Sequence, residues 1–443
     1  MEIGIGHREM PTRYRTPGVY YEMPGPVRAQ AAFQTAVPIF AGFGDSISRS
    51  RDSSAEIHRI DHWQQFLHFC KPSPESYLGY AVRGFFENGG EHCFVVPVPS
   101  GENGAAKMSD ALLRLLAPGA ALDSCEDADL VCVPDAMSAP IRKAGARAVQ
   151  EIQSAVLEHC ARMGDRFAIL DGPESGRGLA AASDDRTAQA ISQWRSLPPG
   201  PGALYFPWMY VRKLLSTWPD TRPETALPCD RLIMENRYRG NGYADFHAPV
   251  LVPPCGHIAG IYSRTDARTG VHKAPANEVV EGMLEPGIDL TDTEHGTLND
   301  AGVNCLRGSA GRGIRIWGAR TLSGQPQWRY VNVRRLFLTL ARWIRQNMQD
   351  IVYEGNDPIL WERVAQRLTV HCQDLFAQGA LAGDSPAQAF FVKCDAETNA
   401  RDSREAGAIV TDVGLAPAVP AEFVVVRIIQ SASAIAVTGL NVS

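Results

Sequence analysis

Two short segments carry residue types that could bind a phosphate or a metal. Residues 308–313 (GSAGRG) are glycine-rich, but they lack the Gly-Lys-Ser/Thr ending of a phosphate-binding loop and precede a strand rather than a helix. They therefore predict a tight turn. His58 and His62 stand four residues apart with His68 nearby, yet no zinc motif with an acidic residue accompanies them. Exposed or capping histidines are the simpler interpretation.

Cys255, His257 and Asp171 are the remaining candidates for catalysis. A cysteine and a histidine could form a thiolate–imidazole pair, but side chains so close together in a loop rarely point at one another. Asp171 ends a predicted parallel strand, which is where α/β folds place ligands. The chain also lacks the G-x-S-x-G nucleophile motif. The sequence therefore predicts a protein that is not an enzyme, without catalytic, cofactor-binding or metal-binding residues.

The composition is that of a globular protein, with 45% hydrophobic and 21% charged residues among 443. A formal net charge of -6 argues against a globally basic nucleic-acid binder. No stretch approaches 18 consecutive apolar residues, and the first residues lack the apolar core of a secretory signal. None of the ten cysteines forms a C-x-x-C pair. We expect no membrane insertion and cytoplasmic synthesis, with exit only by a route such as lysis.

Strands and helices alternate through most of the chain. Buried strands are predicted at residues 36–43, 93–98, 128–133, 166–170 and 202–209, and helices near 62–69, 76–88, 111–116, 139–163 and 180–194. This alternation predicts a mostly parallel α/β sheet within residues 31–324, with variable excursions near 100–130 and 174–250. Loops are predicted from residue 253 onward, closing with a strand at 313–317.

The two termini and the last third of the chain do not show this alternation of strands and helices. Residues 1–30 contain prolines that forbid a helix, so they predict an extended arm with a strand-like run at 17–23. Residues 325–430 predict a C-terminal α+β unit, with two helices followed by strands near 389–393, 408–415 and 422–429. The tail, 431–443, is small, apolar and β-prone, without an obvious partner in the sequence.

The first helix of the C-terminal unit, near residues 330–353, has two distinct faces. Its apolar residues fall within one sector of roughly 120°: Val333, Leu336, Phe337, Leu340, Ile344, Met348 and Ile351. Arg334, Arg335, Arg342 and Arg345 fall on the opposite side. Helix physics alone leaves two explanations for this cationic face. Either water solvates it, or the arginines pair with acidic side chains of the same domain.

Nine segments carry a resemblance to a known family. They are residues 16–21 (TPGVYY), 35–43 (TAVPIFAGF), 76–90 (SYLGYAVRGFFENGG), 253–260 (PPCGHIAG), 273–278 (KAPANE), 312–322 (RGIRIWGARTL), 330–335 (YVNVRR), 391–395 (FVKCD) and 420–424 (PAEFV). In these segments and their order, the chain resembles the contractile phage tail sheath proteins. The resemblance spans nearly the whole chain and is weakest near 100–130 and 174–250.

The resemblance implies a structural subunit of a phage tail or a phage-tail-like injection system. The family has a subtilisin-like α/β middle domain, a C-terminal α+β domain, and terminal arms that add strands to neighbouring subunits. The arm residues would be Val19, Tyr20, Tyr21, Ile435 and Val437. The implied partners are further copies in a helical assembly, with or without paralogous subunits, an inner tube, a baseplate and a terminal cap.

The resemblance also changes the interpretation of the arginine face of the helix near residues 330–353. Because the family places the C-terminal domain nearest the inner tube, Arg334, Arg335, Arg342 and Arg345 become candidate contacts with the tube or a neighbouring subunit. Two alternatives stay open. One is a cryptic subtilisin-like hydrolase, although no Asp, His and Ser set suggests it. The other is a type VI secretion sheath, although the proline-broken N-terminus offers no terminal helix for an unfolding ATPase.

Overall fold

A computed structural model describes residues 33–46, 56–73, 75–99, 104–176, 183–214, 249–309, 311–418, 424–431 and 434–441. The arm predicted at residues 1–30, with Val19, Tyr20 and Tyr21, lies outside these ranges. Among the helices of the described ranges, none has the length and apolar character needed to cross a membrane.

The strands follow one another from residue 38 to residue 441. They are β1 (Pro38–Ser46), β2 (His58–Ile60), β3 (Cys70–Pro72), β4 (Cys93–Val98), β5 (Leu130–Cys132), β6 (Phe167–Asp171), β7 (Gly202–Phe206), β8 (Met209–Arg212), β9 (Pro249–Val252), β10 (Met283–Pro286), β11 (Asn304–Ser309), β12 (Gly313–Trp317), β13 (Phe390–Lys393), β14 (Ile409–Leu415), β15 (Val424–Ser431) and β16 (Ala434–Asn441).

The helices connect these strands. They are α1 (Trp63–Phe69), α2 (Leu78–Glu87), α3 (Gly104–Leu116), α4 (Ala139–Ala144), α5 (Ala146–Met163), α6 (Ser183–Ser196), α7 (Cys255–Thr269), α8 (Asp292–Ala301), α9 (Val331–Asn347), α10 (Pro358–Ala377), α11 (Pro386–Ala389) and α12 (Arg401–Glu405).

The central element is a nine-stranded sheet in the order β12-β11-β7-β6-β5-β1-β4-β2, with β3 paired to β1. From β11 to β4 the neighbours run parallel. Strands β2, β3 and β12 pair antiparallel. Parallel neighbours need crossover connections, which the helices supply. The predicted, mostly parallel α/β sheet is therefore confirmed. Strands β8, β9 and β10 form a separate antiparallel sheet.

Both faces of the main sheet are buried, which explains why its strands are apolar throughout. In β6, Phe167 and Ile169 point into one core, whereas Ala168 and Leu170 point into the other. Helices α3, α4, α5, α6 and α8 contribute to the second of these cores, and α1, α2 and α7 to the first. A sheet covered on both faces by helices is the expected arrangement for parallel strands.

Two helix predictions were wrong, in each case because of glycine. The stretch from 253 onward contains α7 and α8 rather than loops alone. Gly256 and Gly260 disguise α7 in the sequence, but they let it approach α2 so closely that a Cβ at either position would overlap the α2 backbone. The single helix predicted at 139–163 is two, α4 and α5. They separate at Gly145, where φ is 116°.

The C-terminal part combines α9 and α10 with an antiparallel sheet in the order β13-β14-β15-β16. All seven apolar residues predicted for the core face of α9 and its end lie in one buried cluster with α10, β13 and β14. That prediction is confirmed. The tail, however, has a partner within its own chain. Strand β16 pairs with β15, with Ile435 opposite Gln430 and Val437 opposite Ile428.

Candidate functional site

Two buried aspartates lie at the carboxyl ends of the parallel strands, where α/β folds place ligands. Asp135 accepts hydrogen bonds from the amides of Phe43 and Tyr77 over 2.5 and 2.6 Å, and Asp171 accepts one from the amide of Cys255 over 2.8 Å. Burial raises the pKa of Asp135 to about 6 and that of Asp171 to about 7. These carboxyls therefore act as acceptors for the amino ends of α2 and α7.

Cys255 and His257 lie in the first turn of α7, not in a loop. Burial raises the pKa of the Cys255 thiol well above its usual range and lowers the pKa of His257 to about 3. The thiol therefore stays protonated and the imidazole stays neutral at physiological pH. A thiolate–imidazolium pair requires the opposite protonation of both groups, so this pair is not an activated nucleophile.

A cavity of about 310 Å³ lies beside His257, between α2 and the β8–β10 sheet. Arg83, Glu87 and Arg212 line it. Neither ring nitrogen of His257 has a hydrogen-bond partner among the described residues, although the side chain is buried. A neutral imidazole offers one donor and one acceptor, so a water molecule or a small polar group would satisfy it.

The glycine-rich segment and the three histidines are the remaining candidates from the sequence. Strands β11 and β12 pair as an antiparallel hairpin, with Ser309 opposite Gly313, as the predicted turn requires. His62 and His68 are exposed, but His58 is buried in β2 and stacks on Phe69 with a centroid distance of 5.2 Å. The exposed reading was therefore wrong for His58. In the described ranges, no three His, Cys, Asp or Glu side chains come close enough to hold a metal.

The cationic face of α9 is not exposed. Arg335 is 2% exposed and Arg342 is 3% exposed, and both face the amino-terminal ends of the central strands. The expectation of an accessible arginine face is wrong for these two residues. A helical wheel shows which side chains share a face, but it does not show what packs against that face. Here α7 and the residues that precede β5 and β6 cover it.

Arg335 and Arg342 belong to a buried ion cluster, which we define as Asp129, Asp266, Arg335 and Arg342. The Arg335 guanidinium donates to both oxygens of Asp266 over 2.9 and 2.6 Å and lies 3.8 Å from Asp129. Arg342 lies 3.6 Å from Asp129. Burial alone lowers the pKa of Arg335, but the carboxylates of Asp266 and Asp129 outweigh burial and raise it. Arg335 is therefore held as a cation.

The other two arginines also bind groups of their own chain. Arg345 donates to Asp165 over 2.5 Å and to the Met163 carbonyl over 2.8 Å. The Arg334 guanidinium lies 4.7 Å from the centroid of the Trp328 ring, and burial lowers its pKa to about 10. The alternative of arginines paired with acidic side chains of the same domain was thus right about the pairing for three of the four arginines, but it was wrong about the domain. The acids lie in the central part of the chain, not in the C-terminal unit.

Sequence reasoning missed the acidic partners Asp129, Asp165 and Asp266. A signal for two of them was present, because Asp129 directly precedes β5 and Asp165 lies just before β6. Parallel neighbouring strands bring their amino ends to one edge of a sheet, so these two carboxylates had to lie close together. Asp266 carried no such signal, since its helix was read as a loop.

Comparison with known families separates the chain into two consecutive parts. A model described as the phage tail sheath protein central domain matches residues 105–322. A second, described as the phage tail sheath C-terminal domain, matches residues 323–431. The two models are contiguous and together cover most of the chain. The chain belongs to the phage tail sheath protein family. Its mixed α/β fold is that of other sheath proteins.

Solved structures cover almost the full length of this sheath protein. A chain in the cryo-EM structure of the anti-feeding prophage baseplate is 27% identical, with a TM-score of 0.65 over 93% of this chain and 97% of that one. A chain of the PVC sheath complex, from an extracellular contractile injection system in its contracted state, is 26% identical, with a TM-score of 0.63 over 93% and 96%.

Sequence relatives match a shorter stretch. The tail sheath protein of Vibrio phage KVP40 is 24% identical over 186 residues, which are 41% of this sheath protein and 27% of the relative. The match therefore spans about a quarter of that relative's length. Shared sequence is concentrated in part of the chain, whereas the fold is shared along nearly all of it.

Among the described residues, the C-terminal domain of this sheath protein presents two surfaces that no other element covers. The outer face of α10 carries side chains at helical spacing, all exposed: Ile359, Glu362, Gln366, Val370 and Gln373. Ile359 is 77% exposed and Val370 is 51% exposed. The second surface is the outer edge of β16, the last strand of its sheet. An exposed apolar stripe and an unpaired strand edge are both typical of contact surfaces.

Proposed function

We propose that this chain is the structural subunit of a contractile sheath, which polymerises helically around an inner tube and contracts to drive the tube through a target envelope. The observation that carries the proposal is the near-complete structural match to chains of contractile injection assemblies, at 27% and 26% identity. Head-to-tail contacts that do not close a ring generate a helix of any length, so another component must set the length.

Contraction needs no nucleotide in this proposal. The extended sheath is a kinetically trapped state, and rigid-body rotation of the subunits releases the stored free energy while terminal arms keep neighbours linked. We propose a subtilisin-like middle domain at residues 31–324, a C-terminal domain at 325–430, and arms at 1–30 and 431–443. The baseplate, an inner tube and a terminal cap are the proposed partners, with assembly in the cytoplasm and release by lysis.

Neither alternative gains support from the geometry. A hydrolase needs a nucleophile and a base that can ionise, but Asp171 is committed to the amide of Cys255 and burial holds the Cys255 thiol protonated. We therefore propose that the protein is not an enzyme. A fluorophosphonate probe should leave the folded chain unlabelled. Stoichiometric labelling of one serine would contradict this proposal.

The direct test of the sheath proposal is electron microscopy of the full chain in negative stain. We expect helical tubes of variable length in the absence of a length-setting component, and a fixed width. Image averaging would show whether the subunits follow a helical path. Closed rings or isolated chains at every concentration tested would contradict an open head-to-tail assembly.

We further propose that the outer face of α10 contacts the inner tube, in place of the buried arginines. Two exposed apolar residues, Ile359 and Val370, lie on this face about three helical turns apart among mostly uncharged neighbours. The flanking Arg363 and Arg367 pair with Glu354 and Asp350 of the same domain. This leaves a low-charge surface, which can contact a partner without a large desolvation cost.

The test replaces both apolar residues with charge. Ile359→Glu with Val370→Glu should leave a folded chain that assembles into empty sheaths, because both side chains are exposed. The matched control places glutamate at Ala106 and Ala161, which are exposed on helices of the central domain. Tube-filled sheaths from the α10 variant, at the level of the control, would exclude this face as the contact. Arg345 remains a second candidate, because its side chain is only half-buried where it pairs with Asp165.

The C-terminal tail is proposed to link neighbouring subunits through the outer edge of β16, with Ile435 and Val437 in the linking strand. Among the described strands only β15 pairs with β16, so a strand from a second copy can add to the other edge of β16. Deleting residues 433–443 should give a folded monomer that forms no tubes. A control truncation of residues 442–443 should assemble normally. Long tubes from the larger deletion would contradict the proposal.

A further inference from the structure

The chain enters the central part of the protein at Thr35, Ala36 and Val37, which we define as the entry segment. Both carboxylates of the buried ion cluster bind this segment. Thr35 Oγ1 donates to Asp266 Oδ2 over 2.7 Å. The amides of Ala36 and Val37 donate to the two oxygens of Asp129 over 2.9 and 2.6 Å. Hydrogen bonds to ionised acceptors are shorter and stronger than those between neutral groups. Three consecutive residues are therefore fixed at this point.

The backbone of this segment is held in an uncommon conformation. Ala36 has a φ of 57°, in the left-handed region that residues other than glycine rarely adopt. Such a conformation persists only when its surroundings over-determine it. The Asp129 carboxylate supplies that constraint, because it accepts from the amides of Ala36 and Val37 at the same time. Asp129 therefore fixes the backbone at Ala36 and Val37.

The same carboxylates bind the C-terminal part of the protein. Asp266 holds Arg335 by two hydrogen bonds, and Asp129 lies beside both Arg335 and Arg342. These arginines occupy one face of α9, whose opposite face is packed in the C-terminal core. The buried ion cluster thus connects the entry segment, the amino edge of the central sheet and α9 through direct polar contacts.

We propose that the buried ion cluster is a coupling site, which carries tension from the N-terminal segment to α9 and the C-terminal core. The proposal rests on the sheath function, in which linked subunits pull on one another through their terminal arms. Without this site, a pull on the entry segment would act first on the pairing of β1 with β4 and β5. With it, the pull reaches α9 through charge-assisted bonds that bypass β1. Asp129, Asp266 and Thr35 are positioning residues in this role.

The test uses the full chain with Thr35→Val and Asp129→Asn. Valine removes the Thr35 hydroxyl while keeping its shape, and asparagine removes the negative charge that the two amides share. The matched control is Thr297→Val with Asp300→Asn, which makes the same two changes at exposed positions on α8. Thr35→Val alone is the milder variant. It leaves the Arg335–Asp266 pair intact, so it keeps the proposal testable if the double variant does not fold.

Two measurements on the monomer decide the matter. Amide hydrogen exchange at residues 36 and 37 should rise about tenfold in the double variant, because a strong hydrogen bond is lost. Under constant force applied between the two termini, unfolding should be about tenfold faster than in the control. When the N-terminal handle is moved to a tag inserted at Pro199, which is exposed, the force no longer passes through Thr35, Ala36 and Val37. The double variant and the control should then unfold at the same rate.

Equal unfolding rates under force between the termini would overturn the coupling role. So would an equal acceleration in both pulling directions, because a purely structural role predicts a general loss of stability. These measurements need no assembled sheath. Failure of the parent chain to form tubes would contradict the proposed function, whereas the force result bears on the coupling site alone.

Discussion

Replacing Asp171 with asparagine tests the role of the buried carboxyl at the end of β6. Asparagine keeps an oxygen that can accept from the amide of Cys255, as Asp171 does over 2.8 Å, but it cannot ionise. Burial raises the pKa of Asp171 from 3.8 to about 7. The folded protein therefore holds this proton up to near-neutral pH, whereas the unfolded chain releases it near pH 4.

The sign of the pH effect follows from these two values. Between pH 4 and 7 the folded state binds more protons than the unfolded state at this site, so the free energy of unfolding falls as the pH rises. Each pKa unit corresponds to 1.36 kcal/mol. From pH 5 to pH 8 the parent should lose about 2–3 kcal/mol that the asparagine variant keeps. Above pH 8 the difference should be constant.

Urea unfolding of both proteins at several pH values from 5 to 8 measures this difference. All other titrating groups are shared by the two proteins, so their contributions cancel when the two free energies are subtracted. Asp300→Asn, at an exposed position on α8, is the matched control and should differ from the parent by a constant amount. A difference for Asp171→Asn that stays constant within about 0.5 kcal/mol would refute the reasoning, because it would mean that Asp171 ionises alike in both states.

Two further predictions concern packing and the buried ion cluster. Arg335→Met should destabilise the fold by about 3–5 kcal/mol, because it leaves the Asp266 and Asp129 carboxylates buried without their main counter-charge. A much smaller loss in thermal unfolding would show that water compensates them. Gly256→Ala should cost about 1–3 kcal/mol or more, because the added Cβ overlaps the α2 backbone. Gly296→Ala, in open space on α8, should instead stabilise by about 0.5–1 kcal/mol, so equal effects would contradict the packing argument.

The burial of Arg335 and Arg342 also changes how the arginine face of α9 can be tested by substitution. Arg342→Glu with Arg345→Glu would test a tube contact only if this face were exposed. Because Arg342 lies beside Asp129 and Arg345 pairs with Asp165, the double variant would place like charges together inside the chain. Loss of assembly by this variant would report misfolding, so the exposed face of α10 is the informative place to substitute.

The sequence alone determined the fold class and the inner face of α9. Residues such as Phe167 to Leu170 form a continuous apolar run, and only a strand covered on both faces buries every side chain of such a run. The heptad-like spacing from Val333 to Met348 fixed which side of α9 enters a core. Both signals are local, because strand and helix periods are read from one segment at a time.

Only the tertiary structure decided what meets the polar face of α9 and the tail. Arg335 and Asp266 are 69 residues apart, and Arg345 and Asp165 are 180 apart, so no local pattern links them. The tail pairs antiparallel with β15, a partner that no pattern within the tail itself indicated. Gly256 lies in helix α7, although glycine has a low helix propensity. Close packing of α7 against α2 outweighs the entropy cost of fixing the glycine backbone. The sequence shows where a charged residue or a glycine stands, but only the element packed against that residue determines what it contributes to the structure.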